Sequence, residues 1–143
     1  MAVRSSPVSL FLIRLSEVRR ALDGAFAPDT AISVGGPLGG VFSSAGHCGA
    51  VAVIVQRIFG GDFVSAVVGG QSHWFNRVPL GGKTIDVDLT GDQFGRPAIQ
   101  VCPREELGVD LYHGARLRRS DEVNADTLRR AGVLAERAGL EIA

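Results

Sequence analysis

A run of twelve residues, CGAVAVIVQRIF at 48–59, carries one charged side chain, Arg57, and is closed by Gly60-Gly61. A segment this apolar has to be buried, so it restricts the fold more than any other part of the chain. Its β-branched residues suit a strand. Twelve residues are long for a strand, however, and the glycine pair is a stop signal for a helix. The spacing therefore predicts a buried helix over 48–59, beginning at Cys48 and preceded by the small residues SSAG and by His47.

The segments on either side organise around that helix. In SSPVSLFLIRLSEVRRALDG, Ser6 suits the cap, Pro7 the first helical position and Gly24 the stop. Phe11, Leu15, Val18 and Leu22 fall on one face at helical spacing, with Arg14, Glu17 and Arg19 elsewhere. Residues 25–46, rich in Gly, Pro, Ser and Thr, read as a long irregular connection containing GGPLGG at 35–40. Three strand-like runs follow the buried helix: DFVSAVV up to Gly69-Gly70, SHWFNRV up to PLGG, and KTIDVDL up to Thr90. The PLGG break reads as a hairpin connection, and AIQV before Pro103 as a further short strand.

Residues 103–121 read as coil with a basic stretch, GARLRRS, that suits a solvated face beside Tyr112. A last helix is expected over 125–138, capped by Asn124 and stopped by Gly139, with Leu128, Ala131, Ala135 and Ala138 inward. The whole, residues 1–143, reads as a single α+β domain: N-terminal helices, an antiparallel sheet, then a C-terminal helix.

Charge and cysteine content narrow the function. Fifteen basic residues balance fifteen acidic ones, which argues against nucleic acid or an anionic membrane as partner. No apolar stretch reaches the roughly twenty residues of a membrane span, and VSLFLI is broken at once by Arg14 without a cleavage site. Two cysteines, Cys48 and Cys102, are too few for a disulfide framework, so reduced thiols and a cytoplasmic setting are expected.

Cys48 is the residue whose position packing explains least. A thiol attacks as its thiolate, and a working cysteine therefore needs electrostatic support and a nearby base. At a helix start Cys48 would meet the positive end of the helix dipole and unpaired backbone N–H groups, which also suit an oxyanion. Gly46 and Gly49 leave its approach open. His73 stands at the start of one strand and Asp88 fifteen residues later across a hairpin, so pairing would set carboxylate beside imidazole. Asp86 shares the strand face with Asp88 and competes for that role. His47, Trp74, Asn76 and Gln93 are the remaining candidates to line the site.

The order Cys48, His73, Asp88 resembles that of papain-like and transglutaminase-like enzymes, and the D-x-T of Asp88-Leu89-Thr90 favours Asp88 over Asp86 by that resemblance. A larger part of the chain is similar to the YunG-like proteins. Gly46-His47-Cys48, Phe59-Gly60-Gly61, His73-Trp74-Phe75-Asn76 and Asp88-Leu89-Thr90 through Gln93-Phe94 occur in that family's order, flanked by APDTA and ADTLRRAGVL. Where those relatives carry glutamine before the cysteine, this chain has His47, which as a neutral imidazole still donates one hydrogen bond to an oxyanion. The resemblance implies a papain/transglutaminase-like fold and a Cys48-His73-Asp88 triad. The expected activity is a thiol-dependent hydrolase or acyltransferase acting on an amide or ester bond of a peptide, protein or small molecule.

Two other functions stay open at this level. One is a non-catalytic domain that binds a peptide or partner protein in the same cleft. The other is a zinc site drawn from His47, Cys48, His73, Cys102 and His113, although no CxxC or HxxxH spacing supports it. GGPLGG lacks the Lys-Ser/Thr of a P-loop, so no nucleotide is expected, and no cofactor or metal is assigned.

Overall fold

The computed structural model describes residues 7–31, 46–103 and 111–142. Ser6 and the GGPLGG segment lie outside these. Among the described residues, three helices pack on one face of a five-stranded antiparallel sheet: α1 (Pro7–Asp23), α2 (Cys48–Phe59) and α3 (Ala125–Ala138). The strands are β1 (Asp62–Val68), β2 (Gln71–Leu80), β3 (Lys83–Asp88), β4 (Gln100–Pro103) and β5 (Arg116–Arg118), in the order β4-β3-β2-β1-β5. The chain is thus α+β, with helices, then sheet, then a closing helix.

The ambiguous apolar run is helical, and its burial explains why it tolerates so little polarity. Cys48 and residues 50–55 are all buried, wedged between the sheet and α3. α1 presents Phe11, Leu15, Val18 and Leu22 to the same core, as their spacing predicts. α3 starts and stops at the expected residues. Asn124 accepts a hydrogen bond from the Thr127 backbone N–H at 2.7 Å, and Gly139 takes the left-handed conformation. The inward face of α3 is rotated from expectation: Leu134 is fully buried, while Leu128 is 42% exposed. Ala131 and Ala135 set the face, and Leu128 stands beside it rather than on it.

Three further expectations need correction. The fourth strand covers Gln100–Pro103 rather than AIQV, because its pairing with β3 runs from Gln100 opposite Asp88 to Pro103 opposite Ile85. The basic stretch after residue 114 is not coil. Its RLR forms β5 along the β1 edge, and a short 3-10 turn, Ser120–Glu122, leads into α3. Arg19 is not on the solvent side of α1 but 5% exposed, its guanidinium donating to the Leu89 carbonyl and to Asp92. That contact ties the first helix to the loop that follows β3.

The β2–β3 hairpin sets the register that matters for the site. Gly81 and Gly82 turn the chain with φ of 58° and 80°, values that only glycine adopts readily at both positions of a two-residue turn. Arg77 then faces Asp86, and Asn76 faces Val87. Strand alternation divides β2 cleanly. Trp74, Asn76 and Val78 face the helices, while His73, Phe75 and Arg77 share the opposite face with Asp86 and Asp88. That second face is also covered, with Val64, Ala66, Phe75 and Tyr112 forming a small core of their own.

Candidate functional site

Asp88 is the best-connected side chain of the second face. Its Oδ1 accepts from the Thr90 backbone N–H at 2.9 Å and from the Thr90 hydroxyl at 3.2 Å. This local turn gives D-x-T a physical meaning: the threonine holds the carboxylate of the residue two before it. Oδ2 accepts from His73 Nε2 at 2.8 Å and from the Tyr112 hydroxyl. Gln100 donates in turn to the Tyr112 oxygen at 3.1 Å. A carboxylate 2% exposed thus has both oxygens doubly satisfied, which is what makes its burial tolerable.

The cluster is packed to contact. A methyl group on Gly91 would collide with the Gln100 amide and lie 2.9 Å from the Tyr112 hydroxyl and 3.0 Å from Asp88 Oδ2. Gly91 is therefore required by space, not by backbone conformation. Around His73 stand three aromatic rings, Phe94, Tyr112 and Phe75, at centroid distances of 4.9, 5.1 and 6.1 Å.

His73 is fully buried. Because an ionised Asp88 only accepts, Nε2 must carry the proton of that hydrogen bond. Nδ1 is buried with no hydrogen-bond partner. The other group acting on the imidazole is the Cys48 thiol. Burial alone would lower the His73 pKa. The hydrogen bond with Asp88, the neighbouring Cys48 and the Asp88 charge outweigh it and raise the pKa to about 9. Burial likewise favours the neutral form of Asp88, but His73, Tyr112 and the Thr90 N–H hold its pKa below the ordinary carboxylate value. Burial, and next the Asp88 charge, push the Tyr112 hydroxyl up, so its proton stays on the tyrosine.

Cys48 is the first residue of α2 and is 9% exposed. It borders a cavity of about 200 Å³ together with Gly46, Gly49, Ser72, Trp74 and the segment leading into α3. Cys48 and Trp74 border this cavity, whereas His73 and Asp88 do not line it.

The other candidates are placed differently. Asn76 donates to the Ala52 carbonyl at 2.9 Å and pins α2 to β2 one turn beyond Cys48. Gln93 donates to the Thr90 carbonyl at 3.0 Å and closes the loop after Asp88. His47 is 2% exposed, with Nε2 at 2.7 Å from the Thr30 hydroxyl and its ring against Phe26. It is not among the cavity-lining residues. Asp86 pairs with Arg77 across the hairpin at 2.8 Å, one turn of the pleat away from His73. Among the described residues no group of three or more His, Cys, Asp and Glu side chains is gathered as a metal would require, and no helix is long and apolar enough to cross a membrane. Tyr112, expected beside a solvated face, is instead 2% exposed and part of the Asp88 cluster. Nothing local in the sequence marks it, whereas Thr90 and Gly91 sit inside a visible motif.

These features define an α+β protein in which a buried carboxylate–imidazole pair stands beside a cysteine that opens a helix. The family model described as YunG protein matches residues 14–129, most of the chain, and the protein belongs to that family. Comparison with curated proteins and with solved structures found no match.

Proposed function

We propose that the protein is a thiol-dependent hydrolase or acyltransferase acting on an amide or ester bond, with a papain/transglutaminase-like core of Cys48, His73 and Asp88. One observation carries this reading. His73 is buried with Nε2 on Asp88 and, among the described residues, no hydrogen-bond partner on Nδ1, and Cys48 is the other side chain that acts on its ring. A purely structural histidine would have both nitrogens satisfied.

With a pKa of about 9, His73 holds both protons at neutral pH. Its Nδ1–H then needs an acceptor, and the Cys48 thiolate supplies one. The thiolate attacks the carbonyl carbon, and its developing oxyanion meets the Cys48 backbone N–H, unpaired within the helix at its first position. Nδ1–H passes its proton to the leaving amine or alcohol, which leaves a thioester on Cys48. Neutral Nδ1 then takes a proton from water or from an acceptor amine as it attacks the thioester, and the thiolate is released. Asp88 keeps the ring oriented and supports its charge throughout. With His47 Nε2 engaged by Thr30, His47 acts in this reading by holding the turn before Cys48. Cys48 and Cys102 are not joined in a disulfide, in keeping with a cytoplasmic setting.

Cys48 and Cys102 are similarly buried, 9% and 6% exposed, so their reactivities can be compared without a large difference in access. Iodoacetamide at pH 7, mapped by mass spectrometry on folded protein, should modify Cys48 at least tenfold faster than Cys102. His73→Ala should remove the difference. Equal rates in the wild-type protein would overturn the enzymatic reading and leave a domain that uses the cleft only to bind.

A further inference from the structure

The cavity beside Cys48 has a second chemically distinct wall. Arg130, from the second turn of α3, lines it and is 4% exposed. Its guanidinium is locked in place: Nε donates to Asp126 at 2.9 Å, one Nη to the Thr30 carbonyl at 3.2 Å, the other Nη to the Thr127 hydroxyl at 2.9 Å. A guanidinium has five N–H groups, so each Nη carries a second N–H beyond these contacts. Its carboxylate partner is shared and largely in solvent. Asp126 is 58% exposed and also binds Arg129 at 2.8 Å.

The charges around the cavity lean the same way. Residues 118–130 hold four arginines against three carboxylates. Glu122, the one acidic residue on the cavity wall among the described residues, lies 3.7 Å from Arg118 and 3.8 Å from Arg119. A buried, rigidly held cation facing an open cavity is the arrangement that recognises a planar anion by charge-assisted hydrogen bonds.

We infer that this cavity takes the carboxylate of the acyl substrate, held by Arg130, while the scissile carbonyl lies at Cys48. The inference rests on the thiol chemistry above and adds a substrate class to it. The cavity, at about 200 Å³, is smaller than the roughly 300–1,000 Å³ usual for larger ligands. It suits one short unit, such as the terminal residue of a peptide with its free carboxylate, or a small amide or ester bearing a carboxylate.

Iodoacetate and iodoacetamide test this directly, since they alkylate the same thiol and differ in a carboxylate. Relative to a free thiol such as glutathione, Cys48 should prefer iodoacetate by about tenfold, the scale of one charge-assisted hydrogen bond. Arg130→Gln should abolish that preference, and Arg130→Lys should keep most of it. An unchanged rate ratio in folded Arg130→Gln would overturn the carboxylate site while leaving the thiol chemistry intact. Slow labelling of Cys48 by both reagents in wild-type protein would instead overturn the thiol chemistry itself. If Arg130→Gln fails to fold, protection of wild-type Cys48 from iodoacetamide decides: N-acetylglycine should protect and N-acetylglycinamide should not. Equal protection by the two, or none by either, would refute the assignment.

Discussion

Asp86 and Asp88 stand two residues apart on the same face of β3, and both are buried to 2% exposure or less. Asp86 lies opposite Arg77, whose Nε donates to it at 2.8 Å. Asp88 is shared by His73, Tyr112 and Thr90. A carboxylate set against arginine has a partner whose proton does not move in the range where proteins fold. A carboxylate set against histidine belongs to a group whose proton can move. The same strand thus carries an arginine-paired acid that holds register and a histidine-paired acid whose imidazole is acted on by a thiol. Their difference comes from the residue across the hairpin, not from the aspartates.

The largest separation between the two should come from replacing each acid with its amide. Asp88→Asn removes the main support for protonated His73, so Cys48 alkylation at pH 7 should slow at least tenfold, with stability falling by on the order of 3 kcal/mol as one partner of a buried pair is lost. Asp86→Asn should cost a similar amount of stability and leave Cys48 alkylation within about twofold. Urea denaturation and reagent kinetics on the same two variants measure both. A larger kinetic effect at Asp86 would move the site by two residues.

Next in size is the pH dependence. The folded pKa of His73, about 9, lies above the ordinary histidine value of 6.5. The folded state therefore binds this proton more tightly, and the associated stability is fully present below the unfolded value. It is lost as pH rises from there through about 9, on the order of 3 kcal/mol in all. At the acid end, the depressed Asp88 pKa ties stability to its ionised form, which is lost as pH falls below the ordinary carboxylate value. Urea midpoints at pH 6, 8 and 10 should fall across the series in the wild type and change much less in His73→Gln. An equal pH slope in His73→Gln would erase the contrast between the two acids.

The smallest effect sharpens the comparison within the Asp88 cluster itself. Tyr112→Phe removes one hydroxyl donor to Asp88 while keeping the ring against His73 and Phe75. Stability should drop by about 1–2 kcal/mol, the scale of a hydrogen bond to a charged group, with Cys48 reactivity within a few-fold of wild type. A loss of reactivity as large as that of Asp88→Asn would make the tyrosine an equal member of the site.

Much of the architecture was legible because it depends on neighbours a few residues apart. The α1 stripe, the Asn124 cap and Gly139 stop of α3, and the glycine hairpin between β2 and β3 are all local devices. The hairpin also made the His73–Asp88 contact readable, since a two-residue turn and period-two alternation suffice to bring them to one face. Thr90 and Gly91 were visible as a motif, but their reasons, two hydrogen bonds to Asp88 Oδ1 and the space beside Tyr112, were not.

Among the described residues, the sequence by itself determined where the three helices begin and end, that β2 and β3 join through a glycine hairpin, and that Cys48 opens a buried helix. Only the tertiary structure decided which polar groups are buried with partners. Tyr112 reaches Asp88 from 24 positions away, Arg19 reaches Leu89 from 70, and Arg130 reaches Thr30 from 100. Periodicity assigns a polar side chain to solvent by default. An arginine is drawn inward only when packing gathers carbonyls and carboxylates around it, and a tyrosine is buried only where its hydroxyl finds an acceptor. Those acceptors come from distant segments, so the burial of Arg19, Arg130 and Tyr112 is set by the assembled fold.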